Sequence, residues 1–270
     1  MSRAKQIRVL ILLLILTPLV FALSMPADPK PDWTRTIIVA VLPYNADGSQ
    51  AAEEAIDRLR STDFRPIEDY FKQQARHFGL PLDTPFRFHL LPKTEQAPGL
   101  PPRTGLFARL NWAAGLRWWR WMVDAEDVDA DIFVVARYQA AVNGEIHLNS
   151  VGMHSPRLAL VAMDADPRMQ ERNWVMLAHE LLHTVGANDL YHHQSGLPIW
   201  PEGYAAPERE PRYPQPAAEL MAGRLPIGPN LTKEARNLSE TCIGTTTARN
   251  IGWFAPQKRC TPSAPFQMQP

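Results

Sequence analysis

Cysteine is scarce in this sequence: only Cys242 and Cys260 occur among 270 residues. Their spacing is not that of a CxxC pair, which excludes a zinc–thiolate module. No cysteine follows the N-terminal apolar run either, which excludes a lipid-modified anchor. An excess of one charge is also lacking. Lys+Arg and Asp+Glu each number 28, for a formal net charge of +0. Bulk charge therefore favours neither nucleic acid nor an anionic membrane surface as a partner. There is no internal repeat, and no low-complexity segment beyond a proline enrichment.

Apolar residues make up 45% of the chain, enough for one sizeable core or for one domain divided into two lobes by a cleft. Of the 26 prolines, many crowd into Pro198–Pro229. Proline fixes φ and removes a donor, so that stretch is expected to be irregular, ordered loop. At the N-terminus Arg3, Lys5 and Arg8 precede the almost wholly apolar Val9–Leu23. A run of about 15 residues suits a signal-peptide core and is short for a span. Residues 1–24 thus read as a signal peptide, cleaved before Met25, or as an uncleaved signal anchor that tethers the chain through residues 9–23. Either reading puts the rest of the chain, a linker over 25–34 and a domain over 35–270, outside the cytoplasm, periplasmic or secreted. In that oxidising setting Cys242 and Cys260 are expected to pair.

Local pattern sets out the elements. Thr36–Leu42 is β-branched and apolar, a buried strand. Ala51–Leu80 has a helical period broken near Ser61–Pro66, with Ile67, Tyr70, Phe71 and Phe78 on one face. Phe86–Leu91 alternates as a strand. A long helix is expected over Thr104–Asp124, and its Trp112, Trp118, Trp119 and Trp121 read as core. Asp131–Tyr138 and Arg157–Met163 are further strands, Glu145–Leu148 is a candidate for another, and Pro167–Val185 is a helix. The order describes an α/β (α+β) fold, with a mixed twisted sheet and its helices in an N-terminal lobe, 35–185, and a loop-rich C-terminal lobe, 186–270. Arg157–Met163 is the candidate sheet edge, on which an extended peptide could align. Asp127, Asp129 and Asp131 alternate as in a calcium-binding EF-hand loop. Ile132 and Tyr138 stand where that loop needs Gly and Glu, so these acids read as a solvated connection.

The chemistry concentrates in His179-Glu180-Leu181-Leu182-His183-Thr184-Val185-Gly186-Ala187-Asn188-Asp189. Residues four apart on a helix project from one face, so His179 and His183 can share one metal ion. Glu180 is rotated by about 100° from His179 and stays off the ligand direction. It can still take a proton from a metal-activated water and pass it to a leaving amine. Gly186 allows the chain to reverse, and Asp189 can return as an oxygen ligand. Two His and one Asp leave a position open for water, the catalytic arrangement of zinc. The expectation is one zinc per chain. His192 and His193 read as surface histidines.

The string HExxHxxGxxD, followed by Tyr191, resembles the zinc endopeptidases of the metzincin-like zincins, and within them is most similar to the snapalysin and immune inhibitor A types. The resemblance covers roughly 178–223. It implies a zincin fold, zinc bound by two His and an Asp, and a methionine-containing turn under the metal. Here Glu219-Leu220-Met221-Ala222-Gly223 is similar to that turn, with Met221 as the apolar floor. Tyr191, Tyr204 and Tyr213 are candidates to assist the oxyanion. The stretch between Asp189 and Met221 is long and Pro-rich, and the space before the first strand is too short for an inhibitory pro-domain. The expected function is zinc-dependent hydrolysis of protein or peptide substrates, with no nucleic acid partner. Two alternatives stand beside it: a zinc hydrolase of a non-protein or cell-wall amide, and a zinc-stabilised binding protein with a vestigial site. Composition and motifs leave the oligomeric state open.

Overall fold

The chain opens on helix α1 (Arg3–Ser24). The computed structural model describes residues 2–24, 28–123, 128–140, 150–253 and 260–262. The expected strand Glu145–Leu148 and the acid Asp127 lie outside them. Four of the expected runs and one strand that was not expected make one mixed sheet: β1 (Ile37–Asn45), β2 (Phe86–Leu90), β3 (Ile132–Gln139), β4 (Val151–Met153, the unexpected one) and β5 (Leu158–Asp164), in the order β2-β1-β3-β5-β4. The first four strands of that order run parallel. Only β4 is antiparallel, pairing Val151 with Leu160 and Met153 with Leu158.

Side chains along a strand alternate between faces, and here both faces are apolar, as expected of parallel strands covered on two sides. Val39, Val41, Phe86, Val134, Ala136, Val161 and Met163 belong to one core cluster, whereas Ala40, Leu42, Phe133, Val135, Leu158 and Leu160 belong to another. Helices α2 (Gln50–Arg58), α3 (Arg65–Phe78) and α5 (Gln170–Thr184) cover the first face, and α4 (Leu106–Met122) covers the second. The expected break between α2 and α3 is a single turn, Ser61–Phe64, and Pro66 then sits in the first turn of α3, where its missing N–H costs nothing. Pro43 is tolerated inside β1 because it falls beyond the last β1–β2 pair, Val41 with Leu90.

Three expectations need correction. Arg157–Met163 is not the sheet edge: β5 lies between β3 and β4, and the three-residue β4 is the edge. So short a strand, one of its three residues glycine, has no alternation to read. The tryptophans of α4 are not all core. Trp112 and Trp119 pack on the sheet, but Trp118 and Trp121 are 56% and 70% exposed. A helix that carries large apolar side chains on more than one side does not say which of them faces the sheet. Asp131, finally, is no loose solvated acid: it accepts from the Ile38 N–H at 2.9 Å and from Arg35, tying the start of β3 to β1.

Residues 28–34, expected as linker, lie partly against the body. Trp33 is buried, donates its indole N–H to the Ile251 carbonyl at 2.6 Å, and packs edge-on to Phe86 and Trp253. Helix α1 lies against α4. Among the described residues no helix is long and apolar enough to cross a membrane.

The C-terminal part is loop-rich, with short pairings only. β6 (Ala218–Glu219) runs parallel to β9 (Thr241–Cys242), β7 (Arg224–Gly228) is antiparallel to β8 (Leu231–Glu234), and α6 (Thr245–Asn250) follows. Cys242 and Cys260 are bonded, with Cα atoms 5.5 Å apart and a sequence separation of 18. Thiol labelling of unreduced, denatured protein should therefore find no free cysteine. Closing a loop of that size stabilises by up to about 3 kcal/mol in the chain-entropy model, and reduction should lower the denaturation midpoint accordingly. An unchanged midpoint after complete reduction would show the staple to be energetically idle.

Candidate metal centre

Helix α5 begins after a turn at Pro167–Met169 whose cap, Asp166, accepts from the Arg168 N–H at 2.9 Å. Its first turn is pinned to the end of β5 by two buried bonds. The Asp164 N–H donates to Asn173 Oδ1 at 2.9 Å, and Asn173 Nδ2 donates to the Asp164 carbonyl at 3.0 Å. Leu177, Ala178, Leu181 and Leu182 bury one side of the helix in the core, which turns His179 and His183 towards the C-terminal part.

The two imidazoles lie one turn apart, their ring centres separated by 4.9 Å and their planes at 81°. His179 Nδ1–H donates to the Leu220 carbonyl and His183 Nδ1–H to the Ala187 carbonyl, each at 2.9 Å. Those bonds fix the tautomer and leave both Nε2 atoms as acceptors. After Thr184 the chain reverses as expected. Gly186 takes a φ of 102°, and its neighbours close the helix with Ala187 N–H donating to the Leu182 carbonyl. The reversal brings Asp189 Oδ1 to 3.2 Å from Nε2 of both histidines.

Three lone-pair donors therefore converge, all within 4.8 Å of one another, and the group could hold a metal ion. Asp189 Oδ1 is buried and faces only the two Nε2 atoms, which can bond it only when a proton lies between them. Such an arrangement needs a positive charge at its centre. When no cation is bound, a proton has to serve. Burial would lower the His179 pKa, yet hydrogen bonding to Asp189, with the charge of Glu180 next, raises it to about 9. Burial likewise pushes Asp189 up, but the two imidazoles outweigh it and hold its carboxyl well below the usual range.

Glu180 is buried beside this group, and its Oε2 has no hydrogen-bond partner. Burial raises its pKa, opposed by His179, His183 and the Gly152 N–H. Gly152 belongs to the edge strand β4. A Cβ there would stand 2.1 Å from the Glu180 carbonyl oxygen and 2.7 Å from His183 Cβ, so only glycine lets β4 lie this close to α5.

The segment with Met221 sits under α5. Met221 is fully buried in the cluster that holds Leu177 and Leu181, its carbonyl accepts the Leu190 N–H at 2.9 Å, and the preceding Leu220 carbonyl holds His179. The residue that shapes this turn was not singled out by its local sequence. Glu219, with no exposure, accepts from the N–H groups of Met221 and Ala222 at 2.7 and 3.1 Å and from Gly244 N–H and Thr247 Oγ1 at 3.0 and 2.6 Å. Burial pushes its pKa up against those four donors. It supports His179 through the backbone, at one remove from the metal group.

Among the candidate tyrosines, Tyr191 stands apart. It is held by an antiparallel bridge to Pro198, and its pKa is raised to about 12 by burial first and by Asp189 next. Tyr204 and Tyr213 instead face each other, hydroxyl to hydroxyl at 3.1 Å. His192 and His193 are exposed, and neither joins the metal group. No protein-family model matches the chain, and neither does any curated protein sequence.

Proposed function

We propose that this chain is a zinc-dependent endopeptidase of the metzincin-like zincin type, working outside the cytoplasm on protein or peptide substrates. The observation that carries the reading is Glu180: a buried carboxylate with an unpartnered oxygen, next in sequence to a ligand of the His179–His183–Asp189 group yet outside it. Metal binding alone does not need that carboxylate. The 3.2 Å spacing from Asp189 to each imidazole also suits zinc, whose bonds of ~2.0–2.1 Å set tetrahedral ligands about 3.3 Å apart.

When bound, zinc supplies Lewis-acid chemistry, polarising a carbonyl and activating a water near neutral pH. The protein's own groups do the rest. Glu180 accepts the proton of the attacking water and hands it to the leaving amine, and the burial that raises its pKa suits both tasks. The Tyr191 hydroxyl, whose neighbours are Asp189 and Glu180 where those of Tyr204 are Tyr213 and Arg212, donates to the developing oxyanion. Among the described residues β4 is the edge strand, and its outer side beside Glu180 is where an extended peptide aligns across the site. The apolar N-terminal helix and the Cys242–Cys260 bond agree with export.

Digestion of casein and of a quenched peptide, with and without a chelator, tests the reading. Purified protein should hold about one zinc per chain, lose its activity to the chelator and recover it on zinc addition. Activity indifferent to chelation would overturn the zinc mechanism. Zinc-dependent cleavage of cell-wall cross-links with no proteolysis would move the substrate to non-protein amides, and zinc binding with no hydrolysis would favour a binding protein.

A further inference from the structure

Helix α4 is apolar on two sides. Leu116, with the partly buried Trp112 and Trp119, packs on the sheet. The other side carries Phe107, Ala114, Trp118 and Trp121, whose spacings put them in one stripe along the helix. Phe107 is 75% exposed, and Leu106 and Met122 extend the apolar surface at either end. The Trp118 and Trp121 rings lie 5.1 Å apart. Scattered apolar side chains on a surface are ordinary, but two adjoining exposed tryptophans with a third aromatic three turns away on the same side mark an interface.

Along the helix and its approach the formal charges have one sign, and the acid that faces Arg120 comes from elsewhere, Asp28. Between Glu95 and Asp124 the sequence has Arg103, Arg109, Arg117 and Arg120 and no acidic residue. Arg120 turns inward over the Phe133 ring at 3.8 Å, whereas Arg103 and Arg109 are exposed and Arg117 is partly so. The balanced net charge hides this strip. Beside it lies α1, whose Ile7, Leu10, Leu12 and Leu14 are also exposed, so two apolar surfaces adjoin.

We propose that α4 is a membrane-docking helix that lays the domain on an anionic bilayer, with Phe107, Trp118 and Trp121 among the acyl chains and the arginines at the headgroups. Tryptophan with flanking arginine is the composition of helices that lie in the bilayer interface. A second copy of the chain fits the stripe less well, because in a two-fold contact through α4 the helix itself supplies no acid to answer its exposed arginines. Anionic headgroups answer Arg103, Arg109 and Arg117, the three that reach solvent. Since α4 and α5 cover opposite faces of the sheet, docking leaves the candidate metal centre clear of the lipid. The inference does not depend on what that centre does.

The test uses the full chain with vesicles of phosphatidylglycerol and phosphatidylethanolamine carrying brominated acyl chains, which quench tryptophan on contact. α1 contains no tryptophan, so it is silent in this measurement. Tryptophan emission should be quenched, several-fold more than in brominated phosphatidylcholine. The double variant Trp118→Phe, Trp121→Phe should lose most of the quenching, and Arg103→Glu, Arg109→Glu, Arg117→Glu should lose it with all tryptophans in place. No quenching, equal quenching in both lipids, or quenching untouched by the Trp→Phe pair would overturn the proposal. A dimer in sedimentation, with no quenching, would assign the stripe to a second copy.

Discussion

Glu180→Ala is expected to retain zinc, fold at least as stably as the native protein, and lose nearly all peptidase turnover. General acid–base catalysis contributes ~10²- to 10⁴-fold, or about 3 to 5 kcal/mol of barrier. Stability should not fall, because the substitution removes a buried carboxyl whose Oε2 has no partner and whose pKa is raised by burial. Taking away a poorly satisfied buried acid relieves a desolvation cost. Zinc should stay, because the three converging ligand atoms belong to other residues. The check is paired, with zinc content and hydrolysis of a quenched substrate measured on one preparation. Glu180→Gln, which keeps the shape, should be equally inactive. Near-native turnover in either variant would end the general-base role and leave a zinc-binding protein as the better reading.

Much of the inner architecture was legible because the physics there is local. The runs that became β1, β3 and β5 are β-branched and apolar enough to be buried on both faces. The histidine pair needs only four residues of helix, and the return of Asp189 needs only the reversal at Gly186, which takes the positive φ expected of it. What escaped depends on contacts distant in sequence. Glu219 is an unremarked acid until Gly244 and Thr247, 25 and 28 positions away, supply two of its four donors. β4 has three residues and no alternation, and its meaning lies in the missing Cβ of Gly152 against α5. Trp118 and Trp121 could not be assigned a side by counting, since α4 offers an apolar surface in more than one direction. Tyr191 separates from Tyr204 and Tyr213 only once the chain beyond Asp189 is folded back beside the metal group.

His183→Ala should lose zinc and activity together, and it should also erase a pH signature expected of the native protein. A ligand that binds only the folded state stabilises it by about 4 kcal/mol at a thousandfold excess over its dissociation constant. That contribution depends on pH because zinc must displace the proton on His179. The folded pKa of His179 is about 9, above the ordinary 6.5, with Asp189 as the chief raising cause against burial. Below that pKa each unit of falling pH weakens zinc by up to about tenfold per proton displaced, so zinc-dependent stability rises as pH rises towards 9. With zinc removed, the sign is reversed. The raised His179 pKa stabilises fully below pH 6.5 and loses that contribution as pH rises through 9. The lowered pKa of Asp189 acts at the other end, present above its ordinary 3.8 and lost as acid protonates it. Between pH 6 and 9 the melting temperature with zinc and that with chelator should therefore draw apart. In His183→Ala the two curves should coincide at every pH, since one imidazole and one carboxylate make a poor site. A native protein whose chelator effect is flat across this range would mean that zinc does not sit on His179, whatever the activity measurements say.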